Sequence, residues 1–371
     1  MNEQQLTSTG EGRGRFGEVH RDRYREFQAT EGIPVYTGFH IESLNTLELK
    51  PWARMGGLGA YVNLFGEEVL GDNYLLEIPP GKILEPQRHM FEEAVYVLSG
   101  RGATTFWARP GGKKWTFEWN ENALFALPAN MGYHHFNGDN SRPARLFAKT
   151  TLPAVFQYFT DPKFIFENDF VMEQIESDIY SAEAKQYRGG LVWSANFVPD
   201  VRAFDRMQTY GRRGAGGSSI KFYMPALARL SLHQSEFPVA TYKKAHAHPP
   251  GRAIIMVKGD SGFSLLWQPG YEKEKKKVDW KTGSVFGVGL NDLQGEVWYH
   301  QHFNTGTEPA RYLVQHVNSP LIWDKHVQIE YVDEDPEIRK LFESELAKSG
   351  IKSKMPPECY TDPNYQWKRA V

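Results

Sequence analysis

The run His246-Ala247-His248-Pro249-Pro250-Gly251-Arg252-Ala253-Ile254-Ile255-Met256-Val257-Lys258-Gly259 is answered later in the chain by His300-Gln301-His302-Phe303-Asn304. The chain has 12 histidines, and these two short patches hold four of them. Strand side chains alternate between faces, so an H-x-H pair on a strand presents both imidazoles on one side. A third imidazole from a neighbouring strand completes a metal site. The β-branched run Ala253 to Val257, closed by Gly259, reads as the next strand.

The same pattern occurs earlier in the chain. Pro79-Pro80-Gly81 precedes Gln87-Arg88-His89, then Glu93, then Val95-Tyr96-Val97-Leu98-Ser99-Gly100. A constant offset of 159 takes Gln87 to His246, His89 to His248, Glu93 to Arg252 and Gly100 to Gly259. With small drifts, Trp119 matches Trp280, Phe125 matches Phe286, and Phe136-Asn137 matches Phe303-Asn304. Pro143-Ala144-Arg145 likewise matches Pro309-Ala310-Arg311. Each copy consists of short apolar and aromatic runs separated by Gly, Pro and Asn. In the second copy these include Phe263 to Trp267, Ser284 to Val288 and Arg311 to Val314. Evenly spaced short strands predict an antiparallel sandwich or barrel, and two copies predict two barrels from one duplication.

Composition narrows the partners. Charged residues make up 24% and the net charge is -2, so no basic face marks a nucleic-acid binder. The only lysine run, Lys273 to Lys277, is broken by Glu274 and reads as a solvated hairpin tip. No apolar run reaches membrane-spanning length. The first residues, MNEQQLTSTGEGRGRF, lack the apolar core of a secretory signal, and Cys359 stands alone, which suits a reducing compartment. The expectation is a cytoplasmic protein without nucleic-acid or membrane partners.

These motifs resemble those of the bicupins, two-domain members of the cupin superfamily. Their first motif is G-x5-H-x-H-x3,4-E-x6-G, matched here by His246, His248, Arg252 and Gly259. Their second motif adds H-x3-N, matched by His300 and Asn304. The resemblance implies an all-β fold of two jelly-roll cupin barrels, an N-terminal arm and a C-terminal helix. The expected boundaries are an arm over 1–60, barrel 1 over 61–160, a linker over 161–225, barrel 2 over 226–330 and a helical tail over 331–371. In the tail, Asp335 to Ser349 is acidic at its start, apolar at Ile338, Leu341, Phe342 and Leu346, and stopped by Gly350. Gly211 to Gly217, inside the linker, reads as a flexible loop.

Arg252 stands where the motif has glutamate, which leaves three histidines and no carboxylate. Such sites resemble the ring-cleaving gentisate and salicylate dioxygenases, which end in an H-x-H-G-N pattern close to His300–Asn304. That resemblance implies His246, His248 and His300 as metal ligands and His302 as a nearby acid/base or supporting group. Strand alternation alone places His300 and His302 on one face and leaves either as third ligand. The metal of that family sits in the first barrel, whereas the intact motif here is in the second.

Three imidazoles suit Fe(II), the metal this resemblance favours, and also Mn(II), Ni(II), Cu(II) or Zn(II). The expected reaction is O2-dependent cleavage of an aromatic or hydroxy-carboxylate substrate. Arg252 either points into the cavity to pair with a substrate carboxylate or makes an outward salt bridge. Arg311 shares a structural role with Arg145. Trp267, Trp298, Tyr242 and Phe286 are candidate pocket walls. In the first copy Gln87 replaces a histidine and Tyr133 falls where His300 is. The first barrel is therefore read as silent, the alternative being a site made of His89, Glu93 and His134 or His135. The other bicupin readings are a decarboxylase, isomerase or hydrolase, or a non-catalytic binding barrel. Decarboxylases keep the glutamate, which weighs against that choice. Bicupins often associate through barrel faces and exchanged arms, so a homo-oligomer is expected.

Overall fold

In the computed structural model, residues 22–67, 70–171, 192–204, 207–209, 211–248, 251–288, 298–318 and 327–367 are described. They form two barrels, each made of a large and a small sheet facing one another. The large sheet of barrel 1 runs Val35–Gly38, Gly57–Leu64, Asp72–Ile78, Ala144–Thr150, Glu93–Ser99, Leu124–Leu127, Phe197–Val198. Its small sheet runs Gly132–Asn137, Arg101–Trp107, Lys114–Asn120. Barrel 2 repeats this order with Val192–Ser194, Ser218–Tyr223, Leu230–Phe237, Ala310–Val317, Arg252–Lys258, Val285–Gly287, His40–Ile41. Its small sheet runs Lys276–Trp280, Gly262–Trp267, Tyr299–Asn304, His246–Ala247, Val327–Gln328. The two-barrel, all-β expectation from the duplication is the observed architecture.

The large sheets read as nearly continuous apolar strands because both faces are buried. On Ala310–Val317, Tyr312, Val314 and His316 line the barrel interior. Leu313 and Val317 turn the other way, into an apolar cluster shared with Leu64, Leu75, Tyr96 and Phe147 of barrel 1. One core therefore joins the barrels back to back. Glu92 fastens the same junction, accepting backbone N–H bonds from Ala228, Arg229 and Leu230 at 2.9–3.0 Å.

Residues 35–52 of the expected arm carry strands, and so do residues 192–223 of the expected linker. Val35–Gly38 pairs in parallel with Gly57–Leu64, as Val192–Ser194 does with Ser218–Tyr223. The chain then crosses over. His40–Ile41 joins barrel 2 beside Val285–Gly287, and Phe197–Val198 joins barrel 1 beside Leu124–Leu127. The loop 211–217 is packed rather than loose: a Cβ at Gly214 would lie 2.3 Å from the Tyr331 hydroxyl. The C-terminal helix spans Pro336–Lys348, capped by Asp335, and buries Ile338, Phe342 and Leu346 on the outside of barrel 2.

The motif glycines have a backbone reason. Gly100 and Gly259 end equivalent strands with φ of 88° and 136°, in the left-handed region that side chains avoid. A Cβ at Gly100 would also lie 2.7 Å from Ala144.

Candidate metal centre

His246 pairs directly across the small sheet with His300, so strand register brings the two motifs together. The ring centroids are 4.1 Å apart for His246 and His300, 4.5 Å for His248 and His300, and 5.6 Å for His246 and His248. One nitrogen from each of the three buried rings falls within 4.8 Å of the others. Among the described residues this is the only group of three or more His, Cys, Asp or Glu side chains so arranged. His246 donates from Nδ1 to the Lys244 carbonyl at 3.0 Å, which leaves Nε2 facing its neighbours. Orienting a ligand ring by its second nitrogen is usual at metal sites. Burial, then the neighbouring His300 and Arg213, hold His246 well below the ordinary histidine pKa. Burial and His302 do the same for His300. Neutral imidazoles are the form that binds metal.

The three rings open into a cavity of about 270 Å3 inside barrel 2. Its wall carries the cationic side chains of Arg213, Lys221, Lys243 and Arg252, and no carboxylate among the described residues. Arg252 thus faces the histidines. It depresses the pKa of His233, held by burial and this charge at about 3, and that of His316. His302 also lines the cavity, its ring centroid 5.3 Å from that of His300. Its Nδ1 lies 2.8 Å from Ser264 Oγ, which accepts from Trp280 Nε1 at 3.1 Å.

Barrel 1 holds the same scaffold with its interior filled. Gln87 turns away, donating to the Arg54 and Glu85 carbonyls at 2.8 and 3.1 Å. Tyr133 occupies the place of His300, its hydroxyl 3.1 Å from His89 Nε2. His89 also meets Glu93 at 3.3 Å. Burial alone raises the Glu93 pKa, but hydrogen bonding and charge from His89 outweigh it, and the net shift is downward. His134 points outward against Trp107, while His135 turns in and bonds Thr104 at 2.8 Å. Tyr61, Tyr74 and Tyr133 pack the remaining interior down to about 10 Å3. The alternative donors His89, Glu93, His134 and His135 therefore do not converge.

Other expectations sort clearly. Trp267, Trp298, Tyr242 and Phe286 are not among the lining residues: Trp267 and Tyr242 pack beneath the C-terminal helix, and Phe286 and Trp298 join the apolar cluster behind Ile254, Tyr312 and Val314, with the Phe286 ring 5.6 Å from that of His302. Arg145 bonds Glu77 and the carbonyls of Leu44, Asn45 and Leu47; Arg311 bonds Glu236 and the carbonyls of Arg202 and Phe204. Both clamp the crossing segments, which is the shared structural role expected. Asn137 and Asn304 likewise brace matching loop carbonyls. Sequence reasoning missed Arg213, Lys221, His233, Lys243 and His316. Lining up the two copies would have flagged Lys243 and His233, which fall on Leu84 and Tyr74 at the offset of 159, but not Arg213, which falls on Arg54.

No protein-family model and no curated protein sequence matches the chain. Among solved structures, the fold is similar to Lactobacillus farciminis oxalate decarboxylase in a formate complex. The TM-score is 0.50 at 13% identity, over 81% of this chain and 92% of that one. It is also similar to the Mn(II)-containing oxalate decarboxylase of Bacillus subtilis, with a TM-score of 0.50 at 12% identity over 86% and 88%. The likeness is one of fold, and the fold is that of a bicupin. Neither structure is a gentisate-type dioxygenase, so that finer resemblance rests on the motif residues. No helix among the described residues is long and apolar enough to cross a membrane.

Proposed function

We propose that barrel 2 houses a metal-dependent dioxygenase acting on a small anionic hydroxy-carboxylate, aromatic or otherwise unsaturated. One observation carries this reading: three buried imidazoles converge within 4.8 Å on a cavity lined by cations. His246, His248 and His300 would hold the ion, Fe(II) in the first instance, with Mn(II), Ni(II), Cu(II) or Zn(II) suiting the same donors. When bound, such an ion supplies Lewis acidity and, for iron or manganese, one-electron chemistry with O2.

The protein's own groups do the rest. Arg213, Lys221, Lys243 and Arg252 favour an anion over a neutral molecule in the confined cavity. Arg252 presents a planar fork for a carboxylate beside the ligands. Trp280 donates to Ser264 Oγ, which leaves the serine hydroxyl to donate to His302 Nδ1, so Nε2 carries the ring hydrogen and is available to donate to a substrate oxygen. Its partner His135 makes the same contact in the filled barrel, so proton handling is an added role for His302.

The test is metal analysis of the purified protein, then O2 consumption by the iron-loaded form with hydroxybenzoates and aliphatic hydroxy acids. O2 uptake in step with substrate loss is expected. Turnover under argon instead would assign decarboxylase, isomerase or hydrolase chemistry. The cationic cavity suits a decarboxylase substrate too, but Arg252 removes the carboxylate that such bicupins keep.

A further inference from the structure

Lys243 is 2% exposed and lines the cavity. Its ammonium donates to Ser235 Oγ at 2.7 Å and Tyr312 Oη at 2.8 Å. Ser235 passes its own proton to the Ser218 carbonyl at 3.3 Å. Among the described residues, no carboxylate pairs with Lys243.

The silent barrel shows what the scaffold holds at these positions otherwise. Lys243 N–H bonds the His302 carbonyl, and Leu84 N–H bonds the His135 carbonyl, both at 2.9 Å. Ser235 faces Tyr312 across the large sheet, as Leu76 faces Leu146. Tyr312 in turn faces Met256, as Leu146 faces Val97. Lys243, Ser235 and Tyr312 thus occupy the places of Leu84, Leu76 and Leu146. Those leucines are 2%, 0% and 1% exposed in the apolar core of barrel 1.

Replacing three core leucines with a lysine, a serine and a tyrosine gives up apolar burial. It also desolvates an ammonium that has no counter-charge among the described residues. The donor count shows what the arrangement offers. An ammonium has three donors, and Ser235 and Tyr312 take two. The Tyr312 oxygen accepts from Lys243, so its proton is left to donate elsewhere. One N–H and one O–H therefore remain on the cavity wall, a match for an oxyanion.

Arg252 lies apart from them. Along Ala310–Val317, Arg252 faces His316 and Met256 faces Tyr312, four residues apart, roughly 13 Å of strand. The cavity of about 270 Å3 is worth roughly nine waters, room for a short molecule only.

We propose that Lys243 and Tyr312 form a second anion subsite, and that the natural substrate is a short molecule with two anionic oxygen groups. One group meets the three-histidine centre and Arg252; the other meets Lys243 and Tyr312. Only the first placement rests on the metal-centre reading above.

The test is calorimetric titration of the metal-loaded protein with malonate and succinate against acetate and propionate. Metal content is measured on the same samples. In the wild type each dicarboxylate binds at least tenfold tighter than the monocarboxylates. In Lys243→Met that ratio falls to about one with metal content unchanged, and in Tyr312→Phe it falls about threefold. Lys243→Met also melts at a higher temperature than wild type without ligand, because a buried ammonium without a counter-charge among the described residues is gone. If Lys243→Met does not fold, Tyr312→Phe and Ser235→Ala carry the comparison.

A wild type that does not discriminate, or a preference untouched by all these variants, overturns the proposal. Repeating the titration after chelation separates the two readings. A Lys243-dependent preference in a protein that never holds metal supports the subsite and sinks the metal centre. Bound metal without that preference does the reverse.

Discussion

Ser264 and Thr104 each sit between a tryptophan N–H and a histidine, one set per barrel, with 2.8 Å to His302 and to His135. Ser264→Ala leaves Trp280 Nε1 and His302 Nδ1 without a partner inside the barrel. A loss of about 1–3 kcal/mol is expected from chemical denaturation. The third-ligand question has an equally direct test. His300→Ala should weaken metal binding by roughly 100-fold or more, beyond the 10–100-fold usual for supporting groups, while His302→Ala stays within that range. Retained metal in His300→Ala with loss in His302→Ala would exchange their roles.

These histidines also set an acid limit. Burial holds His302 at about 3 and His135 at about 4, well below the 6.5 of an unfolded histidine. On acidification the unfolded chain takes up protons first. The stabilisation is therefore complete above pH ~6.5 and lost as pH falls toward those folded values. Each such group contributes a slope of at most roughly 1.4 kcal/mol per pH unit, so a little over 2 for each histidine and close to 5 for the pair between pH 6 and 4. Metal-free denaturation curves at pH 7, 6 and 5 check this, and a flat profile would refute it. The three clustered histidines were legible because H-x-H and H-x3-N carry their own spacing. Lys243, Tyr312 and His233 belong to no motif, and only the inward or outward phase of their strands gives them meaning. That phase was open for Tyr242 and Trp267, which face out.

Strands of two to four residues set the limit of what periodicity reveals. Val35–Gly38 and Val192–Ser194 lie 157 residues apart and make the same parallel pairing, yet neither is long enough to show alternation. The duplication therefore includes residues that looked like an irregular arm and linker. Longer units were readable: the helix at Pro336–Lys348 announced itself by Asp335 at its cap and an apolar stripe. The tryptophans of the repeat explain two conserved-in-place glycines within the chain. Trp119 lies over Gly102 and Trp280 over Gly262, where added Cβ atoms would come within 2.5 and 2.0 Å of the indole rings. Gly262→Ala should cost roughly 1–3 kcal/mol by overpacking and disturb the Trp280–Ser264 bond beneath it. Thermal melting with indole fluorescence reads both effects, and an unchanged midpoint would rule out the crowding.

The barrels share one apolar cluster, so neither has a complete surface alone. Residues 192–371 expressed by themselves would expose Phe222, Leu232, Ile255 and Leu313, all 5% accessible or less in the full chain. Such a patch predicts aggregation in size-exclusion chromatography, whereas the full chain unfolds in a single transition. A soluble, cooperatively folded half would show that the shared core matters less than its burial implies.

The crossing of His40–Ile41 and Phe197–Val198 has a historical reading. Two identical chains trading the segments ahead of their barrels make a symmetric dimer; joining them end to end yields this topology with its two-fold intact. Fusion frees the halves from having one sequence. One becomes a plugged mould that cannot be discarded, because its leading segment completes the sheet of its twin. The other is released to drift away from an ordinary core and toward chemistry.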